Sequence, residues 1–316
     1  MKRLFYFFIF ILICISNNFL LGQNPVIDSL NRELTIVKKQ KHLSKISSDT
    51  LQINILLSFS KELEDSNTDE AVEFAEKALN NPEHRKAALE VAQKSIVLLK
   101  NENQTLPISK SVKTIAFIGP MVKEYKENMG FWSVELPEVD YNKWIVSQWD
   151  GMQNKVGKNT KLLYAKGCEI EGTNKDGFAE AVATAKQADV VVLSIGERRD
   201  MSGEAKSRSD LHLPGVQEDL VKAIQATGKP VVVLINAGRP LVFNWTADNV
   251  PAILYTWWLG TESGNAIANV LFGDYNPSGK LPMTFPREVG QIPIYYNHFS
   301  TGRPAKDENA TNYVSA

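Results

Sequence analysis

The sequence has little cysteine, little histidine and almost no net charge. Its 316 residues include two cysteines, Cys14 and Cys168, and four widely separated histidines. Because Cys14 falls in an expected amino-terminal leader, we expect one thiol and no internal disulfide in the mature chain. No spacing of histidine and cysteine is typical of zinc, so no metal site is predicted.

The balance of charge excludes two classes of partner. Lysine plus arginine number 35 and aspartate plus glutamate 36, which gives a net charge of −1. Proteins that bind nucleic-acid backbones or anionic membranes carry a surplus of positive charge, so we expect neither partner. The sequence also lacks a GxGxxG motif after its first strand and a GxxxxGK[ST] phosphate loop. No nucleotide or other cofactor is therefore predicted.

The amino terminus has the pattern of a secretory signal peptide. Two basic residues precede an apolar run over Leu4–Ile15, and a plausible cleavage site follows Gly22. Asn17 and Asn18 interrupt the apolar run, which disfavours a lasting membrane anchor. We therefore predict a signal peptide over residues 1–22, no membrane span after its removal, and a periplasmic or secreted protein.

Residues 23–81 have a helical pattern without strands. Apolar residues recur at helical spacing in three runs, the second over residues 51–63 and the third over residues 71–79. These two runs are spaced like one helix-turn-helix unit of a tetratricopeptide array, and equally like a generic helical hairpin. Both interpretations stay open at this point.

From residue 82 onward, apolar β-branched segments alternate with amphipathic segments, and residues 305–316 form a polar tail that we expect to be frayed or truncated. Strands that are apolar throughout are typically buried on both faces of a parallel sheet. Their alternation with helices predicts a three-layer α/β/α sandwich with a mostly parallel sheet, preceded by a small all-helical segment. A helix is predicted over 87–100. The predicted strands are 114–118, 161–165, 189–195, 230–236 and 252–256, and the later helices 147–156, 178–186, 216–226 and 262–272.

The loop over residues 194–214 contains the main candidates for chemistry. It follows the most apolar predicted strand, and ligands of open α/β sheets bind outside the carboxyl ends of strands. The loop contains the carboxylates Glu197, Glu204 and Asp210, with Arg208 among them. Such a carboxylate is a candidate proton donor or sugar ligand, and it is equally a candidate for ordinary solvated surface.

Several segments together resemble a known family. They include KSIVLLKNENQTLPI, GERRDMSGEAKSRSDLHLP, LINAGRPL, NPSGKLPMTFP and QIPIYYNHFSTGRP. Over residues 82–304 the chain resembles the C-terminal α/β-sandwich domain of glycoside hydrolase family 3, of the periplasmic β-glucosidase type. The resemblance implies hydrolysis of β-linked glucosides or oligosaccharides by a retaining mechanism that uses two carboxylates.

The resemblance assigns one of the two carboxylates to this chain. The family's acid/base lies in a Glu-Ala-x-Ser-Arg segment, which here places the catalytic acid/base at Glu204. Glu197 is the competing proton donor, and with Asp210 it is otherwise a support of the loop. Arg208 is predicted to contact substrate, to position the loop or to pair with Asp210.

Trp132 is the second candidate for contact with a sugar. It matches the family's Gly-x-Trp position, whose indole stacks on the sugar at the aglycone side. Flat aromatic rings pack well against the C–H faces of sugars. The alternative is a half-buried tryptophan of the core.

The sequence departs from the family pattern before residue 81. The family's nucleophile is an aspartate of a preceding barrel domain, and residues 23–81 contain no strand-end aspartate that could replace it. We therefore expect the isolated chain to be weak or inactive, and we consider completion by a separate barrel chain or self-association. The alternatives are a non-catalytic carbohydrate- or protein-interaction module, and a misassembled gene joined near residue 81.

Overall fold

The computed structural model describes residues 26, 29–34, 55, 58, 68–133 and 140–295. The predicted signal peptide over 1–22 and the tail over 305–316 lie outside the described residues. The chain divides into two compact units, one formed by Met1–Ala87 with Val134–Asp140 and the other by Ala88–Ser133 with Tyr141–Ala316. The two units are described separately.

The first unit is helical where it is described. Residues 29–34 are helical, and helix α1 spans Thr68–Leu79. Leu30 and Ile55 are buried, and Phe74 of α1 packs against them. The helix expected over 71–79 is therefore present. Its pairing with residues 51–63 falls mostly outside the described residues, so the tetratricopeptide-like hairpin stays a prediction.

The second unit is built on a six-stranded sheet with the order β1-β6-β5-β4-β2-β3. Strand β1 is antiparallel to β6, and all other neighbouring pairs are parallel. This arrangement places the carboxyl ends of β2 to β6 along one edge of the sheet. The strands are β1 Val97–Asn101, β2 Thr114–Ile118, β3 Lys161–Ala165, β4 Val190–Gly196, β5 Val231–Asn236 and β6 Ala252–Tyr255.

Helices cover both faces of the sheet. Alternate residues of a strand point to opposite faces, and β4 divides accordingly between two apolar clusters. Val191 and Leu193 pack with the side of α4 and α5, while Val190 and Val192 pack with the side of α3 and α7. The predicted three-layer α/β fold with a mostly parallel sheet is confirmed. The helices are α2 Pro82–Ser95, α3 Gln148–Lys155, α4 Phe178–Lys186, α5 Gln217–Gln225, α6 Asn244–Asn249 and α7 Ser263–Leu271.

The helix predicted over 87–100 is wrong in its second half. Helix α2 ends at Ser95, and Val97–Asn101 form the edge strand β1. Short apolar runs do not distinguish a strand from a buried helical turn by periodicity alone. Val97 pairs with Tyr255 of β6, so a contact about 160 residues away in the chain determines the structure here.

Candidate functional site

A buried polar network forms the base of the site at the carboxyl ends of β4, β5 and β6. Gln148 donates to Asn236 at 2.9 Å and accepts from Ser194 at 2.6 Å. Asn236 donates to Ser194 at 3.0 Å, and Thr256 donates to Asn236 at 2.9 Å. All four side chains are buried. Because fully satisfied buried networks are rigid, the loops that follow these strands start from fixed positions.

Glu197 follows β4 directly and is completely buried, with an exposed fraction of 0%. Its Oε1 accepts from Arg208 at 2.5 Å and lies 3.3 Å from Nε of Arg239. A buried carboxylate between two guanidinium groups is held by ion pairing and is removed from solvent. This placement favours the supporting role predicted for Glu197 over the role of proton donor.

Arg208 and Asp210 belong to separate contacts in the second half of the loop. Arg208 forms its ion pair with Glu197, and its charge makes only a minor contribution at Asp210. Asp210 is exposed and accepts from the backbone N–H of His212 at 3.0 Å and from its ring at 2.6 Å. These hydrogen bonds lower the pKa of the Asp210 carboxyl. Asp210 therefore shapes the turn that closes the loop.

Arg239 is a further residue of the site, from the segment that follows β5. It lies shortly beyond β5, and its Nη2 donates to the backbone carbonyl of Lys206 at 2.6 Å and to that of Met201. The hydroxyl of Tyr255 donates to the carbonyl of Arg239. Burial, with a smaller effect of the Glu197 charge, raises the pKa of Tyr255 well above its usual range. The strand-end position of Arg239 is a signal present in the sequence, and the structure adds the particular carbonyl groups of the loop that it contacts.

Glu204 lies at the exposed tip of this loop. Its neighbours have unusual backbone conformations, with φ of 152° at Gly203 and 56° at Ala205. Within the described part of the chain, the Glu204 carboxylate has no hydrogen bond and no ion pair. The carboxylate is therefore presented to solvent by a shaped turn, and it is available to a ligand.

Trp132 lies on a second loop that touches the first. A Cβ placed on Gly203 would come within 2.2 Å of the Phe131 ring, so the two loops are in contact there. Trp132 follows Phe131 and is 72% exposed. It packs edge-to-face on Phe131, with 5.1 Å between ring centroids. The structure thus places Trp132 at the surface rather than in the core, one residue from the contact that adjoins Glu204.

A hydrogen bond also joins the two loops at their bases. The backbone N–H of Arg199 donates to the carboxylate of Glu127 at 2.5 Å. Partial burial raises the pKa of Glu127, against the opposing effect of this hydrogen bond. The segments that carry Trp132 and Glu204 are therefore connected twice.

Trp258 lies between two glycines behind these loops. A Cβ on Gly130 would lie 2.8 Å from the Trp258 ring, and one on Gly238 would lie 2.6 Å from its Nε1 and 2.4 Å from Oγ of Ser202. Gly238 is therefore required by close packing against Trp258 and Ser202. Sequence reasoning did not single out Trp258, whose role depends on partners far away in the chain.

An open polar cavity of about 440 Å³ borders the loop on the side of Arg208, Asp210 and His212. A larger cavity of about 720 Å³ lies at the opposite edge of the sheet, around Lys113 and Pro230, away from Glu204. Among the described residues, no group of three or more potential metal ligands occurs. In the same part of the chain, no helix combines the length and apolarity needed to cross a bilayer.

Comparison with known families agrees with this architecture. Residues 96–314 match the model of the glycosyl hydrolase family 3 C-terminal domain. The chain belongs to this family, as the sequence motifs predicted.

Two curated relatives are similar over most of the chain. A beta-xylosidase of Formosa agariphila is 48% identical over 215 residues, which cover 68% of this chain and 30% of the relative. A periplasmic beta-glucosidase of Salmonella typhimurium is 47% identical over 254 residues, which cover 73% of this chain and 32% of the relative. The chain thus spans about a third of the length of the relatives that it matches.

Solved structures show the same fold. A beta-glucosidase from Listeria innocua in complex with isofagomine is similar with a TM-score of 0.67 and 31% identity. The similarity covers 90% of this chain and 39% of that structure. In both the sequence and the structure comparisons, this chain therefore corresponds to part of a longer protein.

Proposed function

We propose that this chain supplies the acid/base carboxylate for hydrolysis of O-glycosyl bonds, and that Glu204 is that residue. The observation that carries the proposal is the placement of Glu204, an unpaired carboxylate on a shaped loop at the ligand-binding edge of the sheet. Relatives described as a beta-glucosidase and a beta-xylosidase support the reaction class. The substrate is a β-linked glucoside or a related glycoside.

In the proposed mechanism, the protonated Glu204 carboxyl donates its proton to the glycosidic oxygen as the C–O bond breaks. A second carboxylate attacks the anomeric carbon and forms a covalent glycosyl-enzyme. Glu204, now ionised, then removes a proton from water, which hydrolyses that intermediate. The exposed position of Glu204 suits both steps, because leaving group and water must reach it in turn.

Two further side chains are proposed to contact the sugar. The exposed Trp132 indole offers a flat apolar surface to the aglycone side of the substrate. Arg208, whose side chain is 21% exposed, lines the polar cavity while it pairs with Glu197. Both lie at the same edge of the sheet as Glu204.

The second carboxylate is proposed to come from another domain or chain. Supply by a barrel domain follows from the family resemblance, and self-association is the other arrangement that would cover this edge. A single carboxylate of a cooperating pair retains little catalysis. We therefore propose that the 316-residue chain alone is weak or inactive.

We also propose a periplasmic or secreted location. The predicted signal peptide over residues 1–22 supports it, and the Salmonella relative is described as periplasmic. Detection of the protein in the periplasmic fraction, with Gln23 as its first residue, would test both points.

A chimera tests the role of Glu204. The matching stretch of the Salmonella protein is replaced with the corresponding residues of this chain, and hydrolysis of phenyl β-glucoside, which has a poor leaving group, is measured. We expect activity that falls about 100-fold or more with Glu204→Gln, the range for loss of a general acid/base. Glu169→Gln, which removes an exposed carboxylate paired with Lys166, is the matched control and should leave activity unchanged. Equal activity of the two variants would refute the proposed role.

A further inference from the structure

Arg239 contacts the loop that carries Glu204 through main-chain carbonyl groups. Its Nη2 donates to the carbonyl of Lys206 at 2.6 Å and also to the carbonyl of Met201. These two carbonyls lie on either side of Glu204 in the chain. One guanidinium group therefore holds both ends of the five-peptide segment that presents the carboxylate.

Arg239 is itself held from two directions. Its Nε lies 3.3 Å from the buried carboxylate of Glu197, and its carbonyl accepts a hydrogen bond from Tyr255. Within the described residues, Oε2 of Glu197 has no hydrogen-bond partner. A buried carboxylate depends on its cations, so Glu197 and the two arginines stabilise one another. The ion pair with Glu197 thus holds the guanidinium of Arg239, and the hydrogen bond from Tyr255 holds its backbone.

The loop tip requires such support. Ala205 has a φ of 56°, in the left-handed region that favours glycine, and Gly203 has a φ of 152°. Strained backbone persists where surrounding contacts determine it. Among the described residues Glu204 makes no side-chain bond of its own, so its position depends on the backbone on either side.

We propose that Arg239 is a positioning residue for Glu204, which fixes the Met201–Lys206 segment through two main-chain carbonyls and is fixed in turn by Glu197. The inference rests on the proposed function of Glu204. It concerns the order of the loop, however, and that order is measured without any catalytic assay.

Limited proteolysis of the full chain with a glutamyl endopeptidase measures this order at Glu204 itself. The protease cleaves after glutamate only where the chain leaves its folded conformation. We expect slow cleavage between Glu204 and Ala205 in the wild type and cleavage at least about tenfold faster in Arg239→Met, since two charge-assisted hydrogen bonds are lost. Glu204→Gln removes the cut and so identifies the peptide.

Matched variants distinguish loss of the two Arg239 hydrogen bonds from a general loosening of the fold. Arg198→Met removes a guanidinium of the same loop that pairs with Glu171 and Asp200, and it should leave the cut at Glu204 unchanged. Arg239→Lys retains a charged donor near both carbonyls and should give an intermediate rate. Cleavage after Glu288 and the unfolding temperature report on the rest of the fold.

Three results would overturn the inference. They are an unchanged rate in Arg239→Met, equal acceleration in the methionine and lysine variants of Arg239, and acceleration at Glu204 and Glu288 together. None of them bears on whether Glu204 transfers a proton, which the chimera tests. Conversely, an active chimera carrying Glu204→Gln would refute the proposed function without affecting the proposed positioning role of Arg239.

Discussion

Glu204 and Glu197 are seven residues apart in one loop, yet their environments are opposite. Glu197 is buried between two guanidinium groups, whereas Glu204 is exposed and, in the described part of the chain, unpaired. The family resemblance predicted Glu204 as the acid/base, and Glu197 as a competing proton donor or a support of the loop. Burial and pairing depend on Arg239, which approaches from a different strand end. The two roles were therefore predicted from the resemblance and stay predictions, whereas the opposite environments of the two carboxylates could not be read from the local sequence.

Glu127 allows a prediction about pH. Partial burial raises its pKa in the folded protein, so the folded state favours the protonated form more than the unfolded state does. The resulting cost to stability is absent below the unfolded pKa and develops as pH rises through the folded pKa. We expect Glu127→Gln to gain stability relative to wild type between about pH 4 and pH 7.

Urea unfolding at several pH values measures this difference. The stability of Glu127→Gln relative to wild type should increase with pH and be smallest in acid. Glu169→Gln, at an exposed carboxylate, is the control. A difference that shrinks as pH rises would mean that the hydrogen bond from Arg199 outweighs burial.

The buried thiol gives a second prediction at this scale. Burial raises the pKa of Cys168 to about 12, so little thiolate exists at neutral pH. We expect iodoacetamide to modify Cys168 only when the protein unfolds, as judged by peptide mapping with and without denaturant. Rapid modification of the native protein would show that this part of the fold opens readily.

At the scale of elements, five predicted strands and four later helices appear where the apolar pattern placed them, and the edge strand β1 does not. Four of them, β2, β4, β5 and β6, have a neighbouring strand on each side and are almost wholly buried, so local pattern and burial agree. The fifth, β3, forms the other edge of the sheet and is only half-buried. Strand β1 depends on antiparallel pairing with β6, which no local pattern encodes. Helices and strands were thus predictable where the local apolar pattern determines them, and not where pairing with a distant strand does.

The turn at Asn276–Gly279 is a second place where a contact far away in the chain determines the local structure. Gly279 is not among the glycines with a positive φ, and the structure instead uses its lack of a side chain. A Cβ there would lie 2.5 Å from the carbonyl oxygen of Ser95 and 2.6 Å from that of Ile96. The glycine is required because the turn packs against the junction of α2 and β1, which was not visible in the sequence.

Gly279→Ala should therefore destabilise the protein. The added methyl group meets backbone rather than a mobile side chain, and overpacking of this kind costs about 1–3 kcal/mol. Gly157→Ala is the matched control, because nothing lies within 4 Å of its added Cβ. Chemical denaturation of both variants measures the difference. Equal stability would show that the turn moves away without cost.

At the scale of the whole molecule, the fold and the family were predicted from the sequence. Neither of them shows which residues complete the proposed site. The chain matches a C-terminal domain and spans about a third of its relatives. Among the described residues, Glu204 is an exposed carboxylate without a hydrogen bond or ion pair at this edge, and the proposed retaining mechanism needs a second carboxylate. The function of the whole site thus depends on what covers that edge.

The isolated chain provides a direct test of this dependence. We expect the full 316-residue protein to hydrolyse nitrophenyl β-glucoside barely above the uncatalysed rate, because one carboxylate acts without its partner. The same assay with Glu204→Gln is the control. Substantial turnover that disappears in this variant would show that the chain alone forms a complete site.

The most direct measurement of the central claim is the dependence of the Glu204→Gln defect on the leaving group in the chimera. The value of kcat/KM is compared between the two forms for aryl β-glucosides whose phenols span a wide range of acidity. A general acid matters little for an acidic phenol and greatly for a poor leaving group. We predict a loss that is small for dinitrophenyl glucoside and rises to about 100-fold or more for phenyl glucoside. A loss of the same size for every leaving group would contradict the assignment of Glu204 as the acid/base.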